Sequence, residues 1–599
     1  MGLLAGTACT DLDTDINSRY EELPDNPIVV EGEFNGCYKY MHGAFGRDFN
    51  EGVVNQGDEV MGCNYGMGNY WDDGRYFDAS AHSLTMNNWR TKAMMDACMS
   101  GCTYTNTKIA AYGGPEFNDP VVAPLRAIRA YYIFWMMDLY GDTPLMNHVL
   151  DEGEMLHRSP RAEVCRWLES ELVEILGQEG GLSKANDIST YGKPNYWMAA
   201  ALLAKIYLNW GVYTNDITTV GYDTPNEKLQ DCVKWCDEII NSGLFDLGTG
   251  YRKKFFPDNG QHIRDFIYAL DVDPEGKGDG TTTWYRWFGF KKYSTVSPYI
   301  LGFNLPSSLA GMTVLTKESV ARFCLPGDER NQIIEQGKQY QYTTDGTYMQ
   351  QDGKDGRPEV PVYLYTDPSK ENTKLFQLEY ITDFMFEDGS FYNLGDEGLP
   401  KASATTRDNG TAFQNIRKGA RCFKYPPREV DYTLWGRQQA NDTPIFRLAD
   451  ILLMKAECIM RGANGNGDTF EGLINQVRAC AGAPSVNVAA ETANGTIYQG
   501  LSPQAQVLLD ERSRELILEP WRRNDLIRFG QFEADWGEKN RYRVWDVDDH
   551  TNMNPVEGVD FHWVERQGVK DPNRRLMPIY IDVLQANTHW SQNPGYEGI

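Results

Sequence analysis

The sequence predicts a mainly α-helical protein: a scaffold of tetratricopeptide-like helical hairpins, interrupted by a loop-rich insertion that carries short strands. Three observations predict it. Several segments place apolar residues at helical spacing between recognisable start and stop residues. Small residues recur where two such helices would cross, as in stacked helical repeats. From Gly248 to about Pro444 the chain turns rich in Gly, Asp, Thr and Tyr, and alternating runs replace the helical ones.

Pro124 stands at a first helical position and Gly141 closes the segment. Between them Leu125, Ile128, Tyr132, Trp135 and Leu139 share a face. Tyr196 to Trp210 is a second helix, stopped at Gly211, with Ala199, Ala200, Ala201 and Ala204 as small packing residues. Arg447 to Arg461 is a third, stopped at Gly462, with Ala449 and Ala456 on its packing side. Arg161 to Leu176 and Glu227 to Ile240 are weaker amphipathic candidates. Ser502 caps and Pro503 opens a further helix running to about Glu519. No strict 34-residue repeat is present, so the repeat is degenerate. In the middle, Gln339 to Tyr342 and Val360 to Tyr365 alternate like short strands or extended loops. A long irregular insertion is usually functional. A decorated subdomain without a ligand is the competing reading.

Composition excludes several classes of function. The 599 residues carry a net charge of −27, and a phosphate-tracking protein needs a basic stripe, so no nucleic-acid partner is expected. An anionic membrane surface would also repel the chain. The longest apolar block, Tyr131 to Met137, lies between Arg129 and Asp138, far short of the roughly 20 apolar residues that cross a bilayer. The 12 cysteines form no C-x-x-C pair and no zinc-like spacing. Cys98 with Cys102, and Cys232 with Cys236, would share helix faces as buried thiols. There is no H-E-x-x-H among the 8 histidines. Neither a metal nor a cofactor is therefore expected. The turn Asp271-Val272-Asp273-Pro274-Glu275 has oxygen ligands for Ca²⁺ but lacks the full calcium-loop pattern, which favours an exposed acidic turn.

The densest charged pattern runs from Asp510 to Arg528. On a continuous helix Glu511, Glu515 and Glu519 line one face. A hydrolase would use two such carboxylates as acid and base. Like charges at this spacing repel, and arginines lie alongside, including Arg447 of the earlier helix. A paired ionic network between helices is the better account, and no catalytic residue is expected.

The same stretch resembles the E-R-x-R-E-L…E…R…D-L-I-R signature of the RagB/SusD family. Leu125 to Ala130 with Asp138 to Leu145 resembles the family's L-R-A-x-R-A…D-x-[FY]-G-D-x-P-L, and Arg158 to Val164 its R-x-x-x-x-E-V. Arg447 to Glu457 resembles R-L-A-[DE]-x-x-L-x-x-A-E. Met577-Pro578-Ile579 and Gln592 to Tyr596 resemble the family's end, and Cys9 with Asp11, Leu12 and Asp13 its mature start. The matches run in order from Cys9 to Tyr596.

The resemblance implies an outer-membrane lipoprotein on the outer face of the cell. It implies a lid on a TonB-dependent, SusC-like barrel transporter, to which captured oligosaccharide is delivered, and no catalysis. Some relatives capture oligopeptides instead. Gly2 to Cys9 then reads as the tail of a lipoprotein signal peptide with Cys9 lipidated, although Gly6 stands where such signals usually have Leu. A chance apolar start with a buried or free cysteine is the competing reading. The organisation expected is a signal remnant over 1–9, a helical region over 10–247, the variable insertion over 248–444 and a second helical region over 445–599.

Sugar rings stack on aromatic faces while their hydroxyls bond Asp, Asn and Arg. Two segments interleave these types. One is Asn69, Tyr70, Trp71 and Asp72 with Arg75 and Tyr76, in a Gly-rich stretch similar in place to a loop that supplies part of the family's glycan site. The other is Trp284, Tyr285 and Trp287 in the insertion. Phe391-Tyr392 and Trp435 are poorer candidates. Packing within a core or subdomain is the competing role for each. Three functions follow, in order of preference: glycan capture (with a peptide-capturing variant), a helical glycoside hydrolase, and a scaffold that binds only proteins.

Overall fold

The computed structural model describes residues 27–62, 75–112, 120–272, 313–338, 361–363, 375–377, 379–380, 420–426, 440–493, 498–534, 541–545, 561–565 and 570–598. Its helices are α1 (Pro27–Tyr38), α2 (Tyr40–Gly52), α3 (Arg75–Ser80), α4 (Arg90–Tyr112), α5 (Ala123–Tyr140), α6 (Arg161–Gly177), α7 (Tyr196–Leu208), α8 (Trp210–Thr214) and α9 (Leu229–Asn241). Within the strand-bearing middle lies α10 (Lys317–Arg322), and after it come α11 (Leu448–Met460), α12 (Phe470–Cys480), α13 (Pro503–Leu516) and α14 (Arg522–Arg528). Packing runs through α2, α4, α5, α6, α7, α9 and α11 in succession, and α11 also meets α12 and α13. This is the helical-hairpin scaffold that the small residues predict.

At the centre lies α5, with Pro124 in its first turn and Gly141 closing it at φ 75°. Nearly every side chain of α5 is buried, so the helix packs against neighbours on all sides. Its two arginines are buried because both grip one carboxylate of α6. Arg126 donates to Glu171 at 2.9 and 2.7 Å, and Arg129 donates to it at 2.7 Å. The motif L-R-A-x-R-A is thus a helix–helix clamp. Trp135 of α5 stacks on Trp521 with ring centroids 5.3 Å apart, and Trp521 stacks in turn on Phe446. These rings join the first helices to the last ones.

α4 and α5 pack closely where they cross. A Cβ on Gly101 would sit 2.5 Å from the Tyr132 ring, whose hydroxyl is tied to the Cys37 carbonyl. Gly101→Ala should gain about 1 kcal/mol of helix propensity and lose about 1–3 kcal/mol to overpacking. A lower denaturation midpoint in urea is the expected result.

The strands are short and pair in twos. β1 (Val60–Gly62) pairs with β5 (Thr313–Leu315), β2 (Thr143–Pro144) with β3 (Arg158–Ser159), and β4 (Phe266–Leu270) with β12 (Thr443–Arg447). β6 (Ile334–Glu335) pairs with β11 (Arg421–Cys422), β7 (Gly337–Lys338) with β10 (Glu379–Tyr380), and β8 (Pro361–Tyr363) with β9 (Leu375–Gln377). β13 (Arg541–Trp545) pairs with β14 (Phe561–Glu565). The strand read at Val360 to Tyr365 is thus β8, and Gln339 to Tyr342 lies outside the described residues.

Three expectations are corrected. Gly211 does not stop a helix: α7 ends at Leu208, and Gly211 lies inside α8. It is small because a Cβ there would meet the Pro225 carbonyl oxygen at 2.6 Å. Arg447 is the last residue of β12, and α11 begins after it. α13 is capped by Ser502 as predicted but ends at Leu516, because Leu518 turns to φ 60°. Glu519 therefore lies beyond the helix that carries Glu511 and Glu515.

Candidate ligand-binding site

Of the predicted ligand residues, Asn69, Tyr70, Trp71, Asp72, Trp284, Tyr285 and Trp287 lie outside the described residues, as do Cys9, Asp273 to Glu275, Phe391, Tyr392 and Trp435. Arg75 and Tyr76 open α3. The structure does place the chain on either side of both aromatic segments. The first segment leaves from Gly62 at the end of β1, and the second ends at Thr313, where β5 begins. Gly62 and Thr313 are paired residues of one antiparallel ladder. Two stretches more than 200 positions apart in sequence thus meet the same ladder, the first where it begins and the second where it ends.

That ladder is anchored on every side. The first segment re-enters the scaffold through α3, which packs on β1. After α3, His82 bonds the Gln56 carbonyl through Nε2 at 2.7 Å and stacks on Phe532. On the other edge of β5, the Leu315 N–H donates to Ala420 at 3.0 Å and Arg421 Nη1 donates to the Thr313 carbonyl at 2.8 Å. The second segment starts after Val272, whose N–H donates to Asp442 at 2.8 Å. Burial pushes the Asp442 carboxyl up to about 7, against a hydrogen bond from Tyr191.

Beneath β1 sits a buried acidic pair that sequence reasoning missed. Asp58 accepts from Arg522 at 2.6 and 2.8 Å and is also paired with Arg322. Glu59 accepts from Ser513 Oγ at 3.0 Å and from the Leu518 N–H at 3.2 Å. No local pattern marks these residues. Their only signal is a polar run, Asn55 to Glu59, that leads straight into a strand.

The three glutamates that resembled a catalytic set are the centre of an ionic network. Glu511 accepts from Arg330, Arg478 and Arg514, each at 2.8 Å. Glu515 pairs with Arg447 at 2.9 Å and Arg330 at 3.1 Å. Glu519 pairs with Arg447 at 2.8 Å and Lys424 at 2.6 Å. Burial alone would raise Glu511, but Arg330, Arg514 and Arg478 outweigh it and hold the carboxyl well below its usual range. A general acid needs a raised carboxyl with an open face, and Glu511 has neither. A second network, Lys205–Asp450–Arg512–Asp525–Arg528–Glu457, ties α7, α11, α13 and α14 together. The aspartate and glutamate of the R-L-A-D…A-E motif are the acids Asp450 and Glu457 of this chain of pairs. Among the described residues no three His, Cys, Asp or Glu side chains converge as metal ligands.

The SusD family model matches residues 264–596. The chain belongs to the SusD family. Its similarity to the starch-binding protein SusD of Bacteroides thetaiotaomicron is 23% identity over 497 residues, covering 79% of this chain and 72% of that one. A SusD-like protein of Formosa agariphila is 24% identical over 445 residues, covering 73% and 68%. Among solved structures, a SusD superfamily protein from Parabacteroides distasonis superposes with a TM-score of 0.60 at 16% identity, covering 95% of this chain and 99% of that one. Surface glycan-binding protein A from Bacteroides thetaiotaomicron, solved with laminarihexaose, superposes with a TM-score of 0.59 at 16% identity, covering 95% and 99%. At such identities the superpositions establish the fold. The SusD scaffold is where the ladder root and the ionic networks reside.

Proposed function

We propose that this SusD-family chain captures oligosaccharide at the cell surface and passes it to a TonB-dependent, SusC-like barrel. Cys9 carries the lipid that anchors it to the outer membrane, and the protein catalyses no reaction. The observation that carries the reading is the ladder that the two aromatic segments share at Gly62 and Thr313. Aromatic platforms and polar partners from two distant stretches can meet over one sugar chain when an end of each is held in the same ladder. Two further facts support it. Relatives are named for binding starch and for a laminarihexaose complex. The glutamates that would serve a hydrolase are saturated with guanidinium and ammonium groups.

Calorimetry against soluble starch, laminarihexaose, other soluble glycans and oligopeptides tests this. Binding of at least one glycan without shortened products is the expected result. Binding of peptides alone assigns the chain to peptide capture. Turnover that Glu511→Gln abolishes would make it a hydrolase. Surface labelling of a Cys9→Ala strain tests the anchor: the protein should leave the membrane fraction.

A further inference from the structure

The loop between β2 and β3 meets the segment 587–593, and the contact brings together two exposed histidines. The rings of His157 and His589 lie with centroids 4.7 Å apart and planes at 65°. The backbone on either side of His157 is pinned to that same segment. The Leu156 carbonyl accepts from His589 Nε2 at 2.8 Å and from Trp590 Nε1 at 2.7 Å. Arg158 donates through Nη1 to the Ser591 carbonyl at 2.7 Å, and its Nη2 bonds Asn593 Oδ1. The other end of the loop is tied to α4 and α5. Asn106 donates to the Met146 and His148 carbonyls, and Arg129 donates to that of Asn147. The two rings therefore face water from an anchored backbone.

A carbonyl oxygen can only accept, so His589 carries a proton on Nε2, and in the neutral ring Nδ1 keeps its lone pair. A metal-binding imidazole is held in this way. Its second nitrogen donates to a carbonyl or carboxylate, which fixes the tautomer and the orientation of the ring. His157 has no hydrogen bond among the described residues, so its ring is free to present either nitrogen. Two imidazoles on one zinc-class ion, with metal–nitrogen bonds of about 2.0–2.1 Å, hold their ring centres roughly 4.5–5.5 Å apart. The separation of 4.7 Å falls within that range. His148 of the same loop is already engaged, by Glu154 at 3.0 Å and by Asn147 Oδ1 at 2.9 Å.

We propose that His157 and His589 form a two-imidazole site for a divalent ion of the zinc class. Imidazole nitrogen suits Zn²⁺, Ni²⁺ and Cu²⁺, whereas Ca²⁺ and Mg²⁺ take oxygen ligands. Both rings are exposed, so water fills the remaining coordination positions. Two protein ligands make the site weaker than a structural zinc with four. The bound ion joins the β2–β3 loop to the segment 587–593, adding a metal clip where 433 positions separate Leu156 from His589. The site involves no residue of the proposed glycan site and stands or falls independently of glycan capture.

Calorimetric titration of the full chain with Zn²⁺ alone tests the proposal. The tightest-bound ion should lose at least about tenfold in affinity in His157→Ala and again in His589→Ala, each tested singly. His148→Ala should bind as the unsubstituted protein does, and excess Ca²⁺ or Mg²⁺ should not displace the zinc. Without metal, the melting temperatures of the two variants should stay within about 1–2 °C of the unsubstituted protein, because both side chains are exposed. With Zn²⁺ the unsubstituted protein should melt higher and neither variant should follow it. Zinc affinity unchanged in both variants overturns the proposal, since exposed carboxylates would then be the ligands. A loss in only one of the two also overturns it, because the site needs both rings. Displacement of the tightest zinc by Ca²⁺ does the same, since it marks an oxygen site.

Discussion

Replacing Arg447 by methionine should destabilise the protein by about 3–5 kcal/mol, the cost typical of leaving a buried charge without its partner. The arginine is fully buried and bonds three carboxylates: Asp265 at 2.7 Å, Glu515 at 2.9 Å and Glu519 at 2.8 Å. Lys254, Arg330 and Lys424 hold the same three acids from the other side. Followed out through Asp328, Glu511, Glu491, Arg478 and Arg514, the described network holds six cations and six anions, so methionine leaves one negative charge uncompensated in a dry interior. Marginal stability of roughly 5–15 kcal/mol makes such a loss large. Lysine should recover only part of it, because a single ammonium cannot reproduce the guanidinium fork. The defect should also depend on pH. Burial raises the Asp265 carboxyl, but Lys254 and Arg447 outweigh it and hold it down at about 2, below its ordinary value of 3.8. A depressed carboxyl contributes stability that is present above its unfolded value and lost as pH falls through its folded one. The gap in melting temperature between Arg447→Met and the unsubstituted protein should be full at neutral pH and narrow as pH falls from about 4 towards 2. Thermal melts across that range measure it.

The position of Arg447 shows how far local reading reaches. Its partnership with the glutamates was legible, because an arginine beside an apolar helix and three acids at helical spacing imply one another. Its place at the end of β12 was not, since β12 exists only through pairing with β4, some 180 residues earlier. Pro124, Gly141, Ser502 and Gly462 marked helix boundaries correctly because caps and breakers act within one turn. Gly211 misled for the complementary reason: its smallness answers to the Pro225 backbone, a tertiary neighbour. Glu519 stays in the network although the helix stops at Leu516, because the left-handed turn at Leu518 brings it back towards Arg447. Asp58 and Glu59 were invisible because their partners lie on α10, α13 and α14, hundreds of residues away. The aromatic segments suggest ligand chemistry by residue type alone and lie outside the described residues; the ladder holds the residue before the first and the residue after the second.

Trp71→Ala and Trp284→Ala should each weaken glycan binding by at least about 2 kcal/mol, roughly 30-fold, as expected for buried aromatic anchors of an interface. A pyranose ring offers its C–H face to an indole, and alanine removes that surface without replacing it. The shared ladder at Gly62 and Thr313 makes a stronger claim than either substitution alone. If both rings hold one sugar chain, they are coupled: once the first is lost, the chain is no longer oriented over the second. The double variant should then depart from the sum of the single ones, the behaviour of residues that share a partner. Two independent sites would give additive losses and a change in stoichiometry. Calorimetric titration of the four proteins with the best-bound glycan of the panel separates these cases. Full affinity in the double variant would remove the site altogether. Melting temperatures should not move by more than about 1–2 °C if the rings serve the ligand, because substitutions that open no core cavity and strand no buried polar group change stability little.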